Sequence, residues 1–255
     1  MDTDATRPKP RRGIYLLPNL ITTGAMLAGY YAIVSAIGGR YTTAAIAVFV
    51  AGVLDGMDGR IARLTNTQTE FGVQYDSLSD LVSFGLAPAL VMYTWALSTL
   101  GDYGPMMAKA GWAASFLYAA CAALRLARFN TQVGQVDKRY FIGLASPAAA
   151  GLLMSFVWAC RDFGLEGRDV ALVALAVTVA GGGLMVSRFR YVSFKGRPEK
   201  DRVPYRAILG AVLVFVAIAV AQAYALLAII MVYASSGPLM SLFRRRREPA
   251  PPAAG

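Results

Sequence analysis

Apolar runs of about 18 residues or more recur between positions 16 and 242, the length a helix needs to cross a hydrocarbon layer roughly 30 Å thick. The chain has 255 residues, of which 56% are apolar and only 16% charged, and its mean hydropathy is +0.49. Such a composition is too apolar for an ordinary soluble domain. The expected fold is all-α: a polytopic integral membrane bundle with spans near 15–37, 41–63, 72–99, 107–127, 142–160, 169–187, 206–221 and 223–242. The last pair is open to two readings, because 207–234 is nearly unbroken apolar sequence and forms either one long tilted helix or a tight hairpin at Gln222.

Charge placement decides between them. Eight spans put 21 basic residues on one side of the membrane and 4 on the other, which by the positive-inside rule makes both termini cytoplasmic. Seven spans would move the cluster at 244–247 outside and weaken the bias to 17 against 8, so eight is the expectation. The net charge of +10 does not point to nucleic acid, because the cations lie in short clusters between apolar runs. Residues 1–13, with Arg7, Lys9, Arg11 and Arg12, read as a disordered basic segment. A signal peptide is disfavoured, since the following run is long and contains Pro18 and Asn19. The membrane domain is expected over 14–243, and 244–255 is a basic, then Pro/Ala-rich tail.

Histidine is absent, which excludes imidazole bases, His triads and His metal ligands. Cys121 and Cys160 lie in apolar runs without metal-ligand spacing. What remains is a concentration of acid at 55–80, DGMDGRIARLTNTQTEFGVQYDSLSD. Asp55 and Asp58 are three apart and Asp76 and Asp80 four apart, so on helices each pair projects from one face. Four carboxylates near a membrane need neutralising. Arg63 flanks the first pair, and two divalent cations would cancel all four charges. Oxygen-only donors select Mg²⁺, Mn²⁺ or Ca²⁺ over zinc. Gly59, Ala62 and Gly72 leave room for a ligand to approach the backbone, which suits a metal-held pyrophosphate. On spacing alone two other readings stand: acids paired with Arg60, Arg63, Arg125 and Arg128 to cap loops, or ion sites of a transporter.

The stretch matches every fixed position of D-x-x-D-G-x-x-A-R, eight residues, then G-x-x-x-D-x-x-x-D, and so resembles the CDP-alcohol phosphotransferase family. The resemblance implies transfer of a substituted phosphoryl group from a CDP-linked donor to an alcohol with release of CMP, two Mg²⁺ or Mn²⁺ ions per site, and a homodimer. It implies Asp55, Asp58, Asp76 and Asp80 as metal ligands, Asp80 also as general base, and Gly59, Ala62, Arg63 and Gly72 against the CDP moiety. An active site facing the cytoplasm, in the cytoplasmic (inner) membrane, suits a donor with a nucleotide head and acyl tails.

Within the family the chain resembles the phosphatidylserine synthase branch. The resemblance lies in PNLIT at 18–22, DSLSDLVSFG at 76–85 with Ala87-Pro88, RLARFN at 125–130 and FIGLASP at 141–147; Ala145 is a departure, where that branch is expected to carry proline. The substrates implied are CDP-diacylglycerol and L-serine, with glycerol phosphate or an inositol phosphate as alternative acceptors. A serine carboxylate calls for a cation, and Arg125 and Arg128 are candidates, with positive-inside anchoring as the competing role. Asn19, Thr22, Ser83 and Asn130 are weaker candidates, residues of these types being more often caps or interhelical hydrogen bonds than substrate contacts.

Overall fold

The computed structural model of the protein describes residues 16–65, 67, 69–131, 140–192 and 205–245. The expected N-terminal segment 1–13, the tail from 246 onward, and the loop cations Lys138 and Arg139 lie outside the described residues.

Helix α1 (Leu16–Ile37) and helix α2 (Tyr41–Leu64) form the first hairpin. Gly39 takes a positive φ of 73°, and α1 closes on Arg40 N donating to Ser35 O (2.8 Å) and Gly39 N to Ala36 O (3.0 Å), the paired bonds of a left-handed helix stop. Ala25, Ala32 and Ala36 of α1 and Ala44, Ala45 and Ala51 of α2 are buried. Between helices already in lipid, close van der Waals approach through small residues replaces the hydrophobic driving force.

The next rod runs from Glu70 to Tyr103 and changes its winding three times. It comprises α3 (Glu70–Asp80), a π-wound stretch (Leu81–Leu86), α4 (Ala87–Trp95) and a 3₁₀ stretch (Leu97–Tyr103). After it come α5 (Pro105–Thr131), strand β1 (Tyr140–Ile142), α6 (Ser146–Asp162), α7 (Ala171–Val186), strand β2 (Arg190–Val192) and α8 (Tyr205–Arg245). The architecture is helical, as expected. The two strands are three-residue segments that pair antiparallel, Phe141 opposite Tyr191, and tie the α5–α6 connection to the α7–α8 connection. Gly143 is required beside them, because a Cβ there would meet Met185 O.

Helices α4 and α6 form the centre, with Val91, Met92, Leu153, Met154 and Val157 fully buried. Large apolar side chains on α1, α5 and α8, such as Leu27, Trp112 and Val232, face outward, as lipid contact requires. Among the described residues, four segments are long and apolar enough to cross a membrane: Leu16–Ile37, Glu70–Tyr103, Pro105–Thr131 and Val220–Ser241. Helix α2 carries Asp55, Asp58, Arg60 and Arg63 in its last three turns. The final apolar stretch is interrupted where the sequence suggested, with non-helical backbone at Ala221 and Gln222.

Two prolines set the same problem, and the fold solves it twice in the same way. A proline lacks an N–H and deprives the carbonyl four residues earlier of its helical donor. For Pro88 that carbonyl is Phe84 O, which accepts from the Tyr118 hydroxyl at 3.2 Å; for Pro238 it is Ala234 O, which accepts from the Tyr191 hydroxyl at 3.0 Å. Both tyrosines are fully buried. Gly237 makes room for the second, since a Cβ there would lie 2.5 Å from Tyr191 Cζ. Tyr191→Phe keeps the ring but strands the Ala234 carbonyl, at a cost of about 1–3 kcal/mol. Thermal melts in detergent should show that loss, and Pro238→Ala in the same chain, by restoring an N–H, should recover most of it. An unchanged melting temperature for Tyr191→Phe would refute the account.

Candidate active site

Helices α2 and α3 run antiparallel through the short connection at 65–69. Thr65 ends α2, its N–H and hydroxyl both donating to Ile61 O. Thr69 starts α3 by accepting from Gly72 N at 3.0 Å, an N-cap readable in the sequence from threonine at the head of a helical segment. Asp55 lies nine residues before the end of α2 and Asp80 ten residues into α3, so the two sit at similar depth. The helices scarcely touch each other; both pack on α1. The gap between them is the site.

One carboxylate oxygen each from Asp55, Asp76 and Asp80 converges within 4.8 Å. At that distance and an effective dielectric of about 20, each pair of formal charges repels by roughly 3 kcal/mol. Asp76 Oδ1 and Asp80 Oδ1 are buried without a hydrogen-bond partner. Asp58 is placed beside this triad rather than in it: it is 4% exposed, and its Oδ2 accepts from the Thr22 hydroxyl at 2.6 Å. None of Asp58, Asp76 and Asp80 makes an ion pair with a described arginine; Arg161 pairs with Glu166 and Arg168 with Asp102. The loop-capping reading therefore fails for those three acids. Three convergent carboxylate oxygens, with Asp76 Oδ1 and Asp80 Oδ1 buried and unpartnered, fit a hard divalent cation.

A cleft of about 260 Å³ opens beside the triad. Asn19 and Thr22 line it from α1, Asp58, Gly59, Ala62 and Arg63 from α2, and Gly72 and Asp76 from α3. All eight are residues the sequence singled out. Gly59 is the floor beneath Arg63, where a Cβ would stand 3.9 Å from Arg63 Nη1. Gly72 lies under Asn19, a Cβ there coming 3.5 Å from Asn19 Oδ1. Thr67 and Thr69 of the connection also line the cleft and were missed; only the cap signal at Thr69 could have found one of them.

The remaining candidates stand outside this cleft lining. Ser83 is fully buried and donates to Ala25 O of α1 at 3.1 Å. Asn130 donates to Ser77 Oγ at 2.9 Å, linking α5 to α3. Arg125 donates through Nη1 to Ser146 Oγ at 2.9 Å, while its Nε is buried and unpartnered. Arg128 lies in the last turn of α5, half-buried.

Comparison with known proteins places this geometry. The family model described as CDP-alcohol phosphatidyltransferase matches residues 15–181, and the chain belongs to that family. It is similar to the CDP-diacylglycerol–serine O-phosphatidyltransferase of Helicobacter pylori, at 39% identity over 73% of this chain and 76% of that protein. The enzymes of the same name from Mycobacterium bovis and Bacillus subtilis are 35% and 31% identical. The first match covers 71% of this chain and 62% of the relative, the second 70% and 91%.

The triad's repulsion makes a prediction that needs no assigned role. In chelator, Asp76→Asn removes one of the converging charges and should raise the melting temperature by about 2–4 °C, equivalent to roughly 1 kcal/mol. A fall in melting temperature would mean that the carboxylates are not in mutual repulsion.

Proposed function

We propose that the chain transfers the phosphatidyl group of CDP-diacylglycerol to L-serine, giving phosphatidylserine and CMP. The observation that carries the reading is the pair of buried, unpartnered carboxylate oxygens on Asp76 and Asp80 beside a cleft floored by Gly59 and Gly72. The names of the relatives support serine as acceptor.

Asp55, Asp58, Asp76 and Asp80 would hold two Mg²⁺ or Mn²⁺ ions, which supply polarisation of the phosphoryl group and charge neutralisation of the departing CMP. Thr22 orients Asp58 through its hydroxyl. Gly59, Ala62 and Gly72 let the nucleotide lie against backbone, and Arg63 meets its phosphates from the rim. Asp80 accepts the proton of the serine hydroxyl as that oxygen bonds to the diacylglycerol-linked phosphorus and the bond to CMP breaks. Arg125, Arg128 and Asn130 form the acceptor side, with Arg125 facing the serine carboxylate, while Asn19 borders the nucleotide and Ser83 fastens the wall. The 21-to-4 charge bias supports eight spans, cytoplasmic termini and a site open to the cytoplasm in the inner membrane; we further propose a homodimer.

Purified protein with labelled CDP-diacylglycerol and Mn²⁺ should release CMP when serine is added, and far less with glycerol phosphate or inositol phosphate. No serine-dependent release would sink the assignment, and chelator should abolish the release. Asp80→Asn should keep nucleotide binding but lose about 10²–10⁴-fold in turnover; normal turnover would remove Asp80 as the base. Thr22→Val should raise the Mn²⁺ concentration for half-maximal rate by about tenfold or more, through loss of the bond that orients Asp58.

A further inference from the structure

Asp80 is the last residue of α3, and the π-wound stretch Leu81–Leu86 follows it directly. Its Oδ1 has no hydrogen-bond partner, and its side chain is hydrogen-bonded with Asp55 across the gap; the point from which the carboxylate reaches that contact is set by the backbone beneath it. That backbone is held from two sides. On the α1 side, Ser79 Oγ donates to Thr22 O and Ser83 Oγ to Ala25 O, each at 3.1 Å. The approach depends on Gly29, where a Cβ would come 2.7 Å from Ser83 Cα. On the α5 side, Asn130 Nδ2 donates to Ser77 Oγ at 2.9 Å, and the Tyr118 hydroxyl meets the π-wound stretch at Phe84 O.

The Tyr118 contact answers a specific deficit. Pro88 is the second residue of α4 and cannot give Phe84 O its helical N–H; its ring also crowds that carbonyl. The chain relieves the crowding by widening its turns, with Ala87 N reaching back five residues to Val82 O. Widened turns of this kind recur at functional sites. Tyr118 supplies the missing proton from a neighbouring helix. Its own place is fixed by α7: Gly181 and Gly182 pass so close that a Cβ would lie 3.4 Å from Tyr118 Cε2 and 3.3 Å from Tyr118 Cα, respectively.

We propose that Tyr118 is a positioning residue for Asp80: its hydroxyl replaces the amide proton that Pro88 cannot supply, and by holding the wide turn it sets the direction of the carboxylate. Tyr118 touches neither substrate nor metal in this account. The inference rests on the reading of Asp80 as the base.

The test is a double-mutant cycle on the full chain in detergent, read by serine-dependent CMP release. Tyr118→Phe keeps the ring, so a purely packing role predicts no change. Positioning predicts a fall in kcat of about tenfold with KM for CDP-diacylglycerol within twofold of the parent, a small misplacement of a reacting group having this kind of effect. Pro88→Ala gives Phe84 O a backbone donor, and in the Tyr118→Phe background it should restore kcat at least threefold. Tyr191→Phe is the comparator, since it strands an equivalent carbonyl away from the triad and should lower the melting temperature without lowering kcat. Parent-like kcat in Tyr118→Phe, no recovery on adding Pro88→Ala, or an equal kcat loss in Tyr191→Phe would each overturn the proposal. A parent chain without serine-dependent release, or Asp80→Asn with full turnover, would instead overturn the reading beneath it.

Discussion

Three carboxylate oxygens held within 4.8 Å of one another are the constraint around which the neighbouring helices are arranged. Left to themselves the acids would drive α2 and α3 apart, and the two helices barely meet. The work of holding them falls to α1, which touches both. Thr22 spans the site, giving its hydroxyl to Asp58 of α2 and its carbonyl to Ser79 of α3. One turn of α1 therefore sets the width of the cleft, and Thr23 adds a hydroxyl contact to Tyr75.

So close an arrangement in lipid depends on what the helices lack. Alanines line the α1–α2 contact, and Gly29 admits the backbone of the π-wound stretch. Where the chain instead carries prolines inside its helices, the stranded carbonyls are met by tyrosine hydroxyls from other helices. Tyrosine suits this task because its ring fills the apolar space between helices and its tip carries the donor. Each such bond is also a tertiary tie, so a local defect in one helix fixes its register against another. At Pro88 the tied segment begins next to Asp80; at Pro238 it fastens α8 to the strand pair.

Much of this was legible in the sequence because the signature is local. Eight fixed positions within 26 residues lie on two consecutive helices, and helical spacing is enough to put their side chains on facing stripes. The same arithmetic treated Asp58 as equal to its neighbours, and the structure separates it by a bond to Thr22, 36 residues away in the chain. Ser83 and Asn130 carry polar groups at suggestive positions, yet their partners are Ala25 O and Ser77; interhelical bonds of this kind have no local pattern. The break at Gln222 was foreseeable as an alternative, being a polar residue in an apolar run. The π-wound stretch was not: Pro88 announces a disturbance, but whether the helix kinks, breaks or widens depends on which donor stands across from Phe84 O.

Formal charge bears on the choice of acceptor. On the proposed reading the four aspartates and the donor's diphosphate carry six negative charges between them, and two divalent cations with Arg63 and Arg125 match them. Serine arrives as a zwitterion and leaves that balance intact, its carboxylate free to meet the buried, unpartnered Nε of Arg125. An acceptor bearing a phosphate would add up to two negative charges and require further cations. Among the described residues Arg63 is the only cation lining the cleft, and Arg125 is already committed through Nη1 to Ser146. Burying an unmatched phosphate against this many acids is strongly unfavourable. The same aspartates that make phosphoryl transfer possible thus favour an acceptor with no net charge.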